Sequence, residues 1–241
     1  SAQFFPKAKT VVTGNPIRKE FISVIARRND EAISGIAAVS SAPRNDDKFP
    51  LIYVTGGSAG AHALNQLVET SLDKLLAHAR IIHQTGASSE FEDFERLSQK
   101  EKALPPHLKG RYTAMKFIDP AEVASLFARA DLIISRSGIN TVTEILYVGK
   151  PCLLIPLPYG QHNEQLENAR FVEKVGLGKV SLQDSLSSDS FYTEVQQMLH
   201  NKETYAKYAV AARKLVDVHA AEKIIDILAH VQEKKKTQKT T

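Results

Sequence analysis

The chain is 241 residues long, 43% hydrophobic and 24% charged, enough to bury a sizeable core and incompatible with a disordered or fibrous protein. Its formal net charge of +4 sits mostly at the C-terminus, where 233–241 carry four lysines against one glutamate, so the body lacks the basic stripe of a nucleic-acid binder. The one cysteine, Cys152, excludes an intrachain disulfide framework and a cysteine-rich zinc site, and no apolar run reaches the roughly 20 residues that cross a bilayer.

The first stretch, interrupted by Pro6, Gly14 and Pro16, lacks the apolar segment of a signal peptide. A soluble cytoplasmic protein is expected and, with methionine at positions 115 and 198 alone, a cut or processed one. Residues 11–22, punctuated by Gly14, Asn15 and Pro16, predict a strand and a turn, making 1–22 a linker that carries the first strand. The stretch 40–50 is polar with two prolines and predicts a loop. From Leu51 onward, short apolar runs at 51–54, 80–83, 116–118, 132–134 and 152–155 have the β-branched richness of buried parallel strands. Helical periods fill the gaps: Leu64, Leu67, Val68, Leu72, Leu75 and Leu76 form one apolar face, and Val123, Leu126, Phe127 and Ala130 another. Strands alternating with such helices predict an α/β fold, a Rossmann-like parallel sheet with helices on both faces, over 23–232. Beyond Ser181 the pattern is purely helical, at 189–199, 202–216 and 220–231. The basic tail 233–241 has nothing to bury and is expected to be disordered.

In an open parallel sheet, ligands bind beyond the carboxyl ends of the strands, and two loops there suit an anion. Thr55-Gly56-Gly57-Ser58-Ala59-Gly60-Ala61 leads from a strand into the Leu64 helix. Its glycines let backbone amides approach a phosphate, and the helix start adds free N–H groups and a positive dipole end. The spacing matches neither the dinucleotide motif nor a P-loop, and a tight strand-to-helix turn would look the same. Ser135-Arg136-Ser137-Gly138-Ile139-Asn140-Thr141 repeats the arrangement, so the two loops could bracket one diphosphate. Glu144 could accept both vicinal hydroxyls of a ribose, or close a capping box with Thr141. After the run at 152–155, Pro156 and Pro158 fix the strand exit. Asn163, Glu164, Gln165 and Asn168 then place amide and acid groups that could bond sugar hydroxyls or simply cap and solvate a helix. No serine-nucleophile elbow, His-Glu-x-x-His or Asp-x-Asp is present, and Cys152, inside an apolar run, reads as core rather than nucleophile.

Taken in order, these motifs carry a family resemblance: Thr13-Gly14-Asn15-Pro16-Ile17-Arg18, Gly56-Gly57-Ser58-Ala59-Gly60-Ala61, Phe117-Ile118-Asp119 and Ala130-Asp131. Arg136-Ser137-Gly138 with Thr141 and Glu144, Gly149-Lys150-Pro151, and Gln165 with Asn168-Ala169 continue the series. Their spacing resembles the C-terminal half of the MurG-type glycosyltransferases, from about Phe5 to Val180. The resemblance implies a GT-B enzyme, two Rossmann-like domains facing each other across a cleft, with this chain as the C-terminal, donor-binding one. In that family N-acetylglucosamine passes from UDP-GlcNAc to a lipid-linked muramyl-pentapeptide in peptidoglycan synthesis. The resemblance further implies that Ile118, beside Phe117, meets the uracil edge through its backbone and that Glu144 holds the ribose hydroxyls. Arg18, Ser58 and the Arg136-Ser137-Gly138 loop would line the diphosphate side and Gln165 would reach the sugar, with Gly57, Gly60, Thr141, Glu164 and Asn168 completing the substrate-binding set. Two positions depart from the family pattern. Ala59 stands where Gln is usual, removing a polar contact near the diphosphate, and Glu164 stands where His or Gln is frequent.

The implied reaction is an inverting displacement at the anomeric carbon with UDP leaving, its charge met by helix starts and Arg136 or Arg18, without a bound metal or cofactor. The catalytic base, the acceptor site and the membrane-facing surface belong to the family's N-terminal domain. This chain is therefore expected to bind donor without turnover and, within the full enzyme, to sit peripherally at the inner face of the cell membrane. A donor-binding subunit completed by a separate partner chain is one alternative. A UDP-sugar 2-epimerase is another; it needs carboxylate acid/base residues in the cleft, and Glu144 is the only well-placed one. Chains of this type return to the first domain at their end, so the face of Ile224, Ile225, Ile227, Leu228 and Val231 is expected to lack its cover and to favour self-association.

Overall fold

The computed structural model describes residues 10–29, 48–159 and 163–239. Among them, six strands form one sheet: β1 (Leu51–Thr55), β2 (Arg80–Gln84), β3 (Tyr112–Met115), β4 (Leu132–Ser135), β5 (Cys152–Leu154) and β6 (Gly178–Val180). Every pairing is parallel and the order is β3-β2-β1-β4-β5-β6. The central strands β1 and β4 are buried along their whole length, because helices cover both faces; this is why their sequences are continuous apolar runs rather than alternating ones. From the β1/β4 seam the crossovers lead away in opposite directions. The loops leaving the two strands therefore part, and a crevice opens at their carboxyl ends.

On one face lie α2 (His62–Leu76), α3 (Asp93–Ala103) and α7 (Ser188–His200), where Leu64, Val68, Leu97 and Phe191 pack with Ile52, Val54 and Ile134. On the other lie α1 (Lys19–Asn29), α4 (Pro120–Arg129), α5 (Ile139–Val148), α6 (Glu164–Val175) and α9 (Ala209–Arg213), where Phe21, Phe127, Ile145 and Val172 pack with Tyr53, Ile133 and Cys152. Neighbouring residues of β1 thus serve opposite layers, as the two-residue period of a strand requires. Phe21 meets Phe127 edge to face, with ring centroids 5.1 Å apart, which fixes α1 on α4. Cys152 is fully buried and burial pushes its thiol pKa up, so it belongs to the core.

Four predicted strands lie where the apolar runs put them; the third is displaced. β3 pairs Tyr112 with Ile81 and Met115 with Gln84, and 116–118 follow it as a loop in which Phe117 is 58% exposed and Ile118 is buried. These two residues face the crevice instead of the sheet, a distinction periodicity does not draw. β6 has no apolar run at all. What places it is fit, since a Cβ on Gly178 would lie 2.4 Å from the Cys152 carbonyl oxygen. The strand expected within 11–22 is absent: 10–18 are irregular and α1 begins at Lys19, with Phe21 and Ile25 one turn apart on its buried side. Residues 1–9 of the expected linker, and the expected loop as far as residue 47, lie outside the described residues.

The helix predicted over 202–216 is instead α8 (Lys202–Ala206) and α9, parted where Tyr208 lies over Gly176, at which a Cβ would come within 2.9 Å of the ring. The tail expected to be disordered continues α10 (Ala220–Lys239) as far as Lys239; Glu, Lys and Gln are good helix formers. Thr240 and Thr241 lie outside the described residues. No described helix is long and apolar enough to cross a membrane.

Candidate functional site

The turn between β1 and α2 forms one wall of the crevice. Thr55 Oγ1 accepts a hydrogen bond from the Gly57 amide at 3.0 Å, and the Gly60 amide donates to the Gly57 carbonyl at 3.2 Å. Gly57 and Gly60 both have left-handed φ angles, +88° and +89°, which glycine alone adopts without strain. Their surroundings differ. A Cβ at Gly60 would fall 2.2 Å from the Thr85 carbonyl oxygen, whereas one at Gly57 meets nothing within 4 Å. Gly60 is fixed by packing against the loop after β2, and Gly57 turns its bare Cα to open space.

The opposite wall is the turn between β4 and α5. Ser137 is fully buried; its hydroxyl donates to the Gln165 carbonyl at 2.7 Å, and Asn168 Nδ2 donates to the Ser137 carbonyl at 3.1 Å. Arg136 donates to the carbonyls of Ile155 and Pro156 at 3.0 and 3.2 Å and to Gln183 Oε1 at 2.6 Å. Burial lowers the guanidinium pKa, and none of these three partners is a carboxylate, so its positive charge is left for the crevice. Gly138 caps α5 with an ordinary φ of −60° and no atom within 4 Å of its Cβ direction.

Two lobes of the crevice meet at Gly57, Asn140 and Thr141. The first, of about 490 Å³, is lined by Pro16, Arg18, Tyr53, Gln84, Phe117, Ile118 and Glu144 among others. Glu144 is 4% exposed, and its Oε1 accepts from Arg18 Nε at 2.6 Å, leaving Oε2 without a partner among the described residues. Burial raises the Glu144 carboxyl pKa and Arg18 opposes the rise. The Tyr53 hydroxyl donates to Gln84 Oε1 at 2.8 Å and Gln84 Nε2 donates to the Gly57 carbonyl at 3.4 Å, so the floor is tied to the first glycine turn. Asn15 Nδ2 lies 3.1 Å from both Asn140 Oδ1 and Thr143 Oγ1, holding 10–18 against α5. The second lobe, of about 650 Å³, runs from Gly60 and His62 past Arg136 and Gly138 to Leu157, Gln165 and Gln183.

The structure thus brings together most of the residues singled out from the sequence. Arg18, Gly57, Ser58, Phe117, Ile118, Thr141 and Glu144 line the first lobe, and Gly57, Gly60, Arg136, Gly138, Thr141 and Gln165 the second. Ser137 and Asn168 instead brace the second turn against α6. Glu164, the exposed first residue of α6, lines neither lobe. The capping box is absent: α5 starts at Ile139, so Thr141 lies inside the helix and the Glu144 carboxylate goes to Arg18. Sequence reading missed Tyr53, Gln84, His62 and Gln183 and named Asn140 only as part of the second loop. Gln84 could have been found as the carboxyl-end residue of a strand, whereas Gln183 follows the unrecognised β6 and has no local signal. Among the described residues no group of three His, Cys, Asp or Glu side chains is placed to hold a metal ion.

A family model for the glycosyltransferase family 28 C-terminal domain matches residues 51–231. The chain is 30% identical over 239 residues to a UDP-N-acetylglucosamine--N-acetylmuramyl-(pentapeptide) pyrophosphoryl-undecaprenol N-acetylglucosamine transferase of Geobacter metallireducens, covering 98% of this chain and 60% of that relative. A transferase of the same name from Nitratidesulfovibrio vulgaris is 35% identical over 228 residues, 94% of this chain and 56% of the relative. Among solved structures, Acinetobacter baumannii MurG superposes with a TM-score of 0.62 at 28% identity, over 76% of this chain and 50% of that one. A UDP-GlcNAc 2-epimerase from Neisseria meningitidis, solved bound to UDP-GlcNAc, reaches 0.67 at 14% identity over 95% of this chain and 57% of that one, a likeness of fold alone. The chain spans about 60% of the length of these curated relatives.

Proposed function

The chain belongs to the glycosyltransferase family 28 C-terminal domains, and on that footing we propose that its crevice binds UDP-GlcNAc as the donor half of a MurG-like N-acetylglucosaminyltransferase. One observation carries the reading: two glycine turns face each other across the β1/β4 seam with the buried Glu144 carboxylate one helical turn behind. Glu144 Oε2 accepts from the ribose hydroxyls, and Arg18 keeps the carboxylate in its acceptor form against the pull of burial. Phe117 and the Ile118 backbone take the uracil. The bare faces of Gly57 and Gly138 let the diphosphate approach the amides at the starts of α2 and α5, with Ser58 beside them and Arg136 as the cation. Gln165 lies in the same lobe as Arg136 and addresses the sugar.

In this reading, displacement at the anomeric carbon expels UDP, and the leaving charge is met by helix starts and Arg136 rather than by a resident metal. The residues lining the two lobes include a single carboxylate, Glu144, which does not suit the paired acids of an epimerase. The acceptor's base, the lipid-linked acceptor and the contact with the inner membrane face belong to the two fifths of the relatives that this chain does not match, supplied in one polypeptide or by a partner. Titration calorimetry with UDP and UDP-GlcNAc tests donor binding. Saturable heat is expected, with Glu144→Gln weakening binding about tenfold through loss of a charge-assisted acceptor. Absence of heat at millimolar ligand overturns the reading.

A further inference from the structure

Among the residues lining the second lobe is a histidine with no part in the assignments above. His62 is the first residue of α2. Its Nδ1 lies 2.8 Å from Asp93 Oδ1, and its ring stacks on Phe91 with centroids 3.8 Å apart and planes 14° apart. Asp93 is itself fully engaged, accepting from Asn65 Nδ2 and Arg96 Nη2, both at 2.7 Å. Although burial works against it, these bonds and His62 hold the Asp93 carboxyl below the usual carboxylate range. An ionised Asp93 makes Nδ1 the protonated nitrogen and leaves Nε2, which has no partner among the described residues, as the atom the ring offers outward. Asp93 and Phe91 thus hold the ring of a residue that lines the lobe containing Arg136 and both glycine turns, and that also lines a neighbouring cavity with Glu69 and Arg96.

We propose that His62 is a ligand of the donor's diphosphate, its imidazolium Nε2–H donating to a non-bridging phosphate oxygen while Asp93 holds the ring from behind. This inference rests on the donor-binding reading and adds to it a proton-dependent contact. The charged groups around the ring are Asp93 and Arg96 from α3, Glu69 from α2 paired with Arg96, the exposed Glu90 and Glu92 flanking Phe91, and Arg136 across the lobe. A bound diphosphate adds negative charge beside the ring, where a protonated Nε2 can donate to it. Neutral His62 would present a lone pair to the phosphate and repel it. Binding of the donor should therefore strengthen as pH falls through the range in which histidine titrates, about 5 to 8.

UDP-GlcNAc is the probe, because both of its phosphates are esterified, whereas the terminal phosphate of UDP titrates near pH 6 and would mask the effect. Calorimetry on this chain at pH 5.5 and 8.0, with circular dichroism confirming the fold at both, should give affinity about tenfold higher at the lower pH, the value of one charge-assisted bond. His62→Gln should abolish the difference by losing the low-pH gain. His62→Arg, permanently charged, should bind at pH 8.0 as the parent does at pH 5.5. Because Glu144, its carboxyl pKa raised by burial, loses its acceptor form in the opposite direction, the parent is read against the variant: a His62→Gln variant with the parent's pH response overturns the role of His62 and leaves donor binding intact. A parent that gives no heat at either pH overturns donor binding, and this inference with it.

Discussion

His83 lies in the β2 core, its Nδ1 3.0 Å from the Tyr112 hydroxyl and its Nε2 2.9 Å from Asn65 Oδ1. Burial pushes its pKa down to about 3, whereas an unfolded histidine titrates near 6.5. Below about pH 6.5 the unfolded chain takes up a proton that the folded chain refuses, so stability is complete at neutral pH and declines as pH falls towards 3. The slope is on the order of 1.4 kcal/mol per pH unit. Urea unfolding measured at steps from pH 7 to 4 should follow that decline, and His83→Gln, which keeps a donor and an acceptor, should flatten it. A parent whose stability is constant over this interval would show that the folded core accepts the proton. Asn65 links this histidine to Asp93 and thence to His62, so a core polar chain ends at the crevice. Each member reads in the sequence as an ordinary polar residue; their alignment depends on β2, α2 and α3 meeting in space.

At the scale of turns and helices, the two crevice walls separate the demands of folding from those of binding. Gly60→Ala forces a left-handed residue into the Thr85 carbonyl and should cost at least 1–3 kcal/mol of stability, the order of a strained backbone position. Gly138→Ala meets neither clash nor strain. Its melting temperature should stay within a degree or two of the parent while affinity for UDP falls at least tenfold, because the new methyl stands where the diphosphate approaches. Equal affinity for Gly138→Ala and parent would remove the second turn from the binding site. Both turns were legible in the sequence because each joins a buried apolar strand to an amphipathic helix through glycine and serine. β3 and β6 were not: the crevice-facing Phe117 and Ile118 imitate a strand, and Gly178 is selected by contact with Cys152 rather than by any pattern along the chain. Arg136, Ser137 and Asn168 entered the site through the family resemblance, yet side-chain bonds divide them into one that offers charge and two that hold the wall.

Among the described residues the sheet is covered on both faces and one face of α10 is left open. On α10, Ile225, Leu228 and Val231 are 65%, 57% and 45% exposed, and their i, i+3, i+6 spacing makes a continuous stripe. Light scattering should show mass rising with concentration, and Leu228→Asp should restore a monomer; a parent that stays monomeric at the highest attainable concentration would contradict this. Asn15 and Arg18 fasten the irregular stretch before α1 to α5, and the partner of Arg18 is the acid assigned to the ribose. A pentose settling on Oε2 shares the Glu144 carboxylate with the guanidinium already on Oε1. One side chain thus serves both as the peg for the stretch before α1 and, in the donor-binding reading, as the seat of the pentose, so a change at Glu144 touches both at once.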